Sequence, residues 1–132
     1  MFKKVDYHYP INFGKVGLDV GAKYYGLLSS TGASASSWFL YMKTKGEVER
    51  DITKIGYQQM NIYRPGLLLN RDNDERIGEK IFSVVPFLTK IESASVGLIM
   101  LDQAIKYCQS NQTEKKTDIY SNSDMLRYAA SI

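Results

Sequence analysis

Two short apolar runs bracket one amphipathic helix in the first half of this chain, and that order limits the folds open to it. The first run, KYYGLLSS at residues 23–30, is bounded by turn residues and predicts a short buried strand. A loop of Gly, Ala and Ser follows over 31–37, where Ser36 or Ser37 is the expected N-cap of the next helix. That helix is predicted over 38–55, because Leu40, Thr44, Val48, Ile52 and Ile55 recur at i+3 or i+4 and give one face to bury. Gly56 should end it as a left-handed cap. The second run predicts a strand over 59–63, and Pro65-Gly66 then makes a turn through which a strand ladder cannot continue. Upstream, Ile11, Phe13, Val16, Leu18 and Val20 predict a helix over 11–19, with Pro10 in its first turn and Gly21 at its end. Helix, glycine and strand in this order predict an α/β layer architecture.

The rest of the chain carries weaker signals. Residues 70–80, NRDNDERIGEK, read as a charged surface loop, and the apolar stretch 81–88 is broken by Pro86, so its conformation stays open. Ser93 or Ser95 is the expected cap of a helix carrying Val96, Ile99, Met100, Ala104 and Tyr107. NQTEKKT reads as a solvated connector, and TDIYSNSDMLRYAA as a short strand and a short helix with Ser123 as its cap. At 132 residues this is one domain or part of one, without an internal repeat. The net charge of +3 is scattered rather than gathered into a stripe, which gives nucleic-acid binding no support. The single cysteine, Cys108, reads as a packed small hydrophobe, allows no internal disulfide and points to a reducing compartment. No apolar run is long enough to span a bilayer and residues 1–10 lack a secretory core, so a soluble intracellular protein is expected.

The sharpest chemistry lies in residues 27–45, LLSSTGASASSWFLYMKTK. Ser29 and Ser30 end the first apolar run, and Tyr41 and Lys45 stand one helical turn apart on one face. A hydroxyl, a phenol and an amine converging on one pocket can move a proton to or from an alcohol or carbonyl oxygen. Tyr-x-x-x-Lys by itself has a plainer explanation, an amphipathic phenol packed beside a solvated lysine.

Together with IYRPGLLLNRD, this stretch resembles the short-chain dehydrogenase/reductase superfamily. Within it the chain looks like the atypical branch that contains the HIV Tat-interacting oxidoreductase family and related mitochondrial proteins of fungi. FKKVDYHYPINFGKVGLDVGAKYY is similar to the helix and strand that precede the family's active-site serine, so the likeness covers nearly the whole chain. The resemblance implies that Tyr41 is the acid or base exchanging a proton with the substrate oxygen. Lys45 would hold the nicotinamide ribose and favour the phenolate, as a neighbouring cation does for a phenol that titrates near ~10. Ser29 or Ser30 would orient the substrate carbonyl, with Ser29 favoured. Arg64, Pro65, Gly66 and Leu67 would lie against the nicotinamide end of an NADP(H) or NAD(H) cofactor; a solvated or structurally paired arginine is the alternative for Arg64.

One departure from the family accompanies the match. No G-x-x-G-x-x-G or G-x-G-x-x-G turn follows a strand here, and Gly14, Gly17 and Gly21 fall to helix packing and termination. The chain is therefore expected to form the C-terminal portion of a doubly wound parallel sheet over residues 1–132, without the N-terminal nucleotide-binding strands. A sheet so divided would leave the first apolar run as an edge. The resemblance implies an NAD(P)-dependent oxidoreductase acting on a small carbonyl or alcohol. A non-catalytic regulatory role with import or transcription factors as partners, or an inactive truncated form, are the alternatives. The implied location is cytoplasmic or nuclear, with mitochondrial association by likeness to the fungal proteins.

Overall fold

The computed structural model describes residues 3–69 and 90–132, and within these the chain forms a three-stranded parallel sheet with helices on its faces. A π-helical turn, Lys4–His8, runs directly into α1, Tyr9–Asp19. Strand β1, Tyr24–Leu28, leads through a loop to α2, Leu40–Thr53, and then to β2, Gln59–Arg64. Two short strands, β3 (Leu67–Leu69) and β4 (Lys90–Glu92), pair in parallel beside it. Helix α3, Ser93–Gln109, precedes β5, Lys116–Ser121, which passes without a loop into α4, Asn122–Ala129. The order in the main sheet is β1-β2-β5. Tyr24 stands opposite Gln59, and Gln59 opposite Lys116. The charged stretch at 70–80 and the apolar stretch at 81–88 lie outside the described residues.

Strand β2 is buried on both faces, as the centre of a covered parallel sheet must be. On one face Tyr25, Leu27, Met60 and Ile62 pack with Ile11 of α1 and with Val48 and Ile52 of α2. On the other, Tyr63 packs with Ile91, Val96, Ile99 and Met125. Polar side chains line the same face as Tyr63: the Asn61 amide donates to the phenols of Tyr24 and Tyr63, each at 3.1 Å, and the Gln59 amide donates to Asn61 at 2.6 Å. Burial raises the pKa of both phenols.

Several boundaries differ from expectation for identifiable reasons. The first helix starts earlier than residue 11, because Pro10 sits in its first turn and the π turn feeds it from upstream. Of its apolar positions only Ile11 is buried and Leu18 half-buried, while Phe13, Val16 and Val20 face outward. Gly14 and Gly17 do serve packing, since a Cβ at either would press on Ile55 or on the Tyr57 hydroxyl. Helix α2 begins at Leu40, later than expected, with Phe39 rather than Ser36 or Ser37 as its N-cap. Ser36 is engaged with Ser34 instead, and Ser37 accepts from the Phe39 N–H at 3.2 Å. Leu40 is exposed, not part of the buried face. Glu92, not Ser93 or Ser95, caps α3, and Ser121 rather than Ser123 caps α4 through a reciprocal box with Asp124. Cys108 is exposed rather than packed, because its neighbour Tyr107 takes the inward position against the Tyr24 ring. Gly21 (φ 94°) and Gly56 (φ 98°) take the left-handed conformation that ends a helix.

Candidate active site

Parallel strands bring their carboxyl ends to one rim of the sheet, where open α/β folds place their ligands. Of the residues singled out from the sequence, Ser29 and Ser30 follow β1 and Arg64 ends β2 at that rim, while Tyr41 and Lys45 stand in the first half of α2. After β1 the chain stays tied to β2: the Ser29 N–H donates to the Tyr63 carbonyl at 2.7 Å, and the Thr31 N–H to the Pro65 carbonyl at 3.0 Å. The Thr31 hydroxyl adds a bond to the Arg64 carbonyl at 3.1 Å.

The two serines differ sharply. Tyr25, Leu27 and Ser29 form the buried alternation of β1 and its extension, so Ser29 continues the face covered by α1 and α2. Its hydroxyl oxygen is buried and has no hydrogen-bond partner among the described residues. Ser30 is half-buried, and its hydroxyl donates to the Thr31 carbonyl at 3.2 Å.

The loop beyond the serines is pressed onto α2. The Ser34 N–H donates to the Met42 carbonyl at 3.0 Å, and a Cβ on Gly46 would collide with the backbone of Ser34 and Ala35. Gly46 follows Lys45 directly, so the loop crosses the helix beside that lysine. Lys45 Nζ lies 5.6 Å from the centroid of the Tyr41 ring, within cation–π range. The same ammonium is 3.9 Å from the Asp6 carboxylate, which the π turn carries toward α2.

Arg64 is structurally paired. Its guanidinium donates to both carboxylate oxygens of Glu49, at 2.9 and 2.5 Å, and that bond raises the Arg64 pKa. This fork joins α2 to the end of β2. The Gly66 N–H donates to the buried side-chain carbonyl of Asn122 at 2.7 Å, which fixes the turn after β2 to the start of α4. Leu67 opens β3. Two open hollows of about 420 and 410 Å³ lie elsewhere; Asp118, Tyr120 and Tyr128 line one, Leu98, Leu101 and Ile105 the other. Among the described residues no cluster of His, Cys, Asp or Glu is arranged to hold a metal, and no helix is long and apolar enough to cross a membrane.

Asp6, Gly46, Glu49 and Asn122 complete the rim and were not anticipated in these roles. For Gly46 a signal existed, since a glycine inside a helix forgoes about 1 kcal/mol relative to alanine and usually has a packing reason. For Asp6 and Asn122 the partners are 39 and 56 residues away along the sequence, too far for any local pattern to reveal.

No model of a known protein family matches the sequence. The chain is 37% identical to the mitochondrial protein FMP52 of Candida albicans, an alignment covering 99% of this chain and 62% of that protein. It is 32% identical to FMP52 of Kluyveromyces lactis, over 96% of this chain and 60% of the relative. Against protein HTATIP2 of Rattus norvegicus it is 37% identical, over 64% of this chain and 37% of the relative. The chain thus spans less than two thirds of the length of these curated relatives.

Proposed function

From a chain that is homologous to the atypical short-chain dehydrogenase/reductase proteins FMP52 and HTATIP2, we propose the catalytic half of an NAD(P)-dependent oxidoreductase acting on a small carbonyl or alcohol. The observation that carries the reading is the Ser29 hydroxyl, buried without a partner on the sheet face that α2 covers. A buried hydroxyl left unpaired costs roughly 1–3 kcal/mol, a penalty that an incoming substrate oxygen would remove. In this reading Ser29 orients the substrate oxygen, Tyr41 exchanges a proton with it, and Lys45 favours the phenolate and holds the cofactor ribose. Bound NADP(H) or NAD(H) would supply or accept the hydride. Lys45 and Tyr41 suit its nicotinamide end. Arg64 and the Gly66 N–H are already engaged by Glu49 and Asn122, so the 64–67 turn would meet the cofactor through its remaining surface rather than through the guanidinium. The family's mitochondrial fungal members favour mitochondrial association over a cytoplasmic or nuclear location.

Tyr41→Phe removes the transferable proton while keeping the ring, and should lower turnover by ~10²–10⁴-fold with folding unchanged. Steady-state rates with a panel of carbonyl substrates measure this; undiminished turnover would defeat the assignment. A second, non-catalytic reading, partner binding by a reused fold, is favoured by the internal pairing of Arg64 with Glu49 and of Lys45 with Asp6. It expects a cellular phenotype that is indifferent to Tyr41→Phe.

A further inference from the structure

The three side chains that precede Tyr41 are large, apolar and uncovered: Trp38 is 99% exposed, Phe39 53% and Leu40 65%. Their exposure does not come from slack in the chain, because the backbone around them is pinned. The Ser37 N–H donates to the Ser34 carbonyl at 3.0 Å, and the Phe39 N–H to the Ser37 hydroxyl at 3.2 Å. The Lys43 N–H donates to the Phe39 carbonyl at 2.9 Å. A helix that crosses between parallel strands starts at the rim where the strands end, so α2 opens at the carboxyl end of β1. The apolar triplet therefore stands on the same crossover as the buried, unpartnered Ser29 hydroxyl.

Charge narrows what the triplet can receive. Residues 24–42 contain no Asp, Glu, Lys, Arg or His. The two cations of the candidate site, Lys45 and Arg64, already face Asp6 and Glu49. A carboxylate or phosphate on the body of a ligand would meet no counter-charge along this segment and would lose hydration against the rings. An uncharged apolar body gains by covering an indole, a phenyl ring and a leucine side chain.

We propose, resting on the oxidoreductase reading above, that Trp38, Phe39 and Leu40 form the specificity wall for an uncharged carbonyl or alcohol substrate with an extended apolar body. The oxygen end of the substrate reaches Ser29 and Tyr41, and its alkyl or aryl body lies across the triplet.

Trp38 is the only tryptophan, so its emission reports cover of the wall without cofactor or turnover. The purified chain is titrated with 2-butanol, 2-octanol and octanoate, none of which absorbs where indole does. The expected result is a saturable shift to shorter wavelength with 2-octanol, tighter by roughly two- to fourfold for each methylene added beyond 2-butanol. Octanoate, of the same length but charged, should give no shift. Phe39→Ser puts a favoured capping residue at the start of α2, so melting should hold while 2-octanol binding weakens ~10-fold. Leu40→Ser is the second variant, with the same expected direction. In turnover with either nucleotide, both variants should shrink the kcat/KM preference for 2-octanol over 2-butanol. Emission indifferent to 2-octanol, an equal shift with octanoate, or both variants binding as wild type does would overturn the proposal. A shift produced by phosphatidylcholine vesicles but by no dissolved alcohol would assign the triplet to a lipid surface and overturn it as well. The underlying reading fails separately: saturable 2-octanol binding without turnover by either nucleotide would retain the wall and defeat the oxidoreductase assignment.

Discussion

Ser29 and Ser30 are adjacent in sequence and opposite in circumstance. The first is buried with an unpaired oxygen; the second is half-buried and bonded to its own loop. Ser29→Ala removes an unsatisfied group without opening a sizeable cavity, so the melting temperature should hold or rise while turnover falls. Ser30→Ala should leave turnover nearly intact. Thermal melting beside steady-state rates separates the two, and a Ser29→Ala variant that melts well below wild type would show its hydroxyl to be structural. The hydroxyl pair was legible in the sequence, and so in principle was the deeper burial of Ser29, because Tyr25, Leu27 and Ser29 share one parity along the strand. For Arg64 the sequence offered structural pairing as an alternative, but not the partner. Its fork with Glu49 depends on how α2 lies across β2, which residue spacing does not encode.

At the scale of elements, α2 is where sequence and structure diverge most usefully. Its buried positions Thr44, Val48 and Ile52 followed the expected period. Its start did not, because the serines expected to cap it are taken up by bonds within the loop. The same loop requires Gly46. Gly46→Ala gains about 1 kcal/mol of helix propensity, yet its methyl must displace backbone at Ser34 and Ala35. Overpacking of that kind typically costs 1–3 kcal/mol or more. The net expectation is a lower melting temperature, with protease cleavage shifted into 30–38. A variant as stable as wild type would mean that the loop does not cross the helix there. In α4 the Ser121–Asp124 box was missed because β5 runs into the helix without an intervening loop, leaving no break at which to look for a cap.

Over the whole molecule, the α/β class followed from element order and a parallel sheet from the family resemblance, whereas strand order β1-β2-β5 and its register are set by tertiary packing. Packing also turned the apolar residues of α1 outward, which periodicity alone could not say. The folded sheet holds an unusual set of phenols. Burial, with Tyr57 nearby, pushes the Tyr25 pKa up to about 12, and burial likewise raises Tyr24, Tyr57, Tyr63 and Tyr120. These groups are neutral in the fold at a pH where the unfolded chain ionises near ~10. Their contribution to stability is therefore full below pH ~10 and lost as pH rises toward 12 and beyond. The share of tyrosinate absorbance that these five phenols contribute should lag behind that of free tyrosine and then rise together with loss of circular dichroism; all five titrating at ~10 in a folded protein would contradict the packing described.

The oxidoreductase reading is tested most directly by titrating the purified chain with NADPH and with NADH while following nucleotide fluorescence and melting temperature together. A ligand that binds only the folded form stabilises it by about 2.7 kcal/mol at a hundredfold excess over Kd, roughly 10 °C in a chain of this size. Saturable binding with a melting shift of that order is the predicted result. A folded protein that binds neither nucleotide would separate the serine, tyrosine and lysine of this rim from any hydride chemistry.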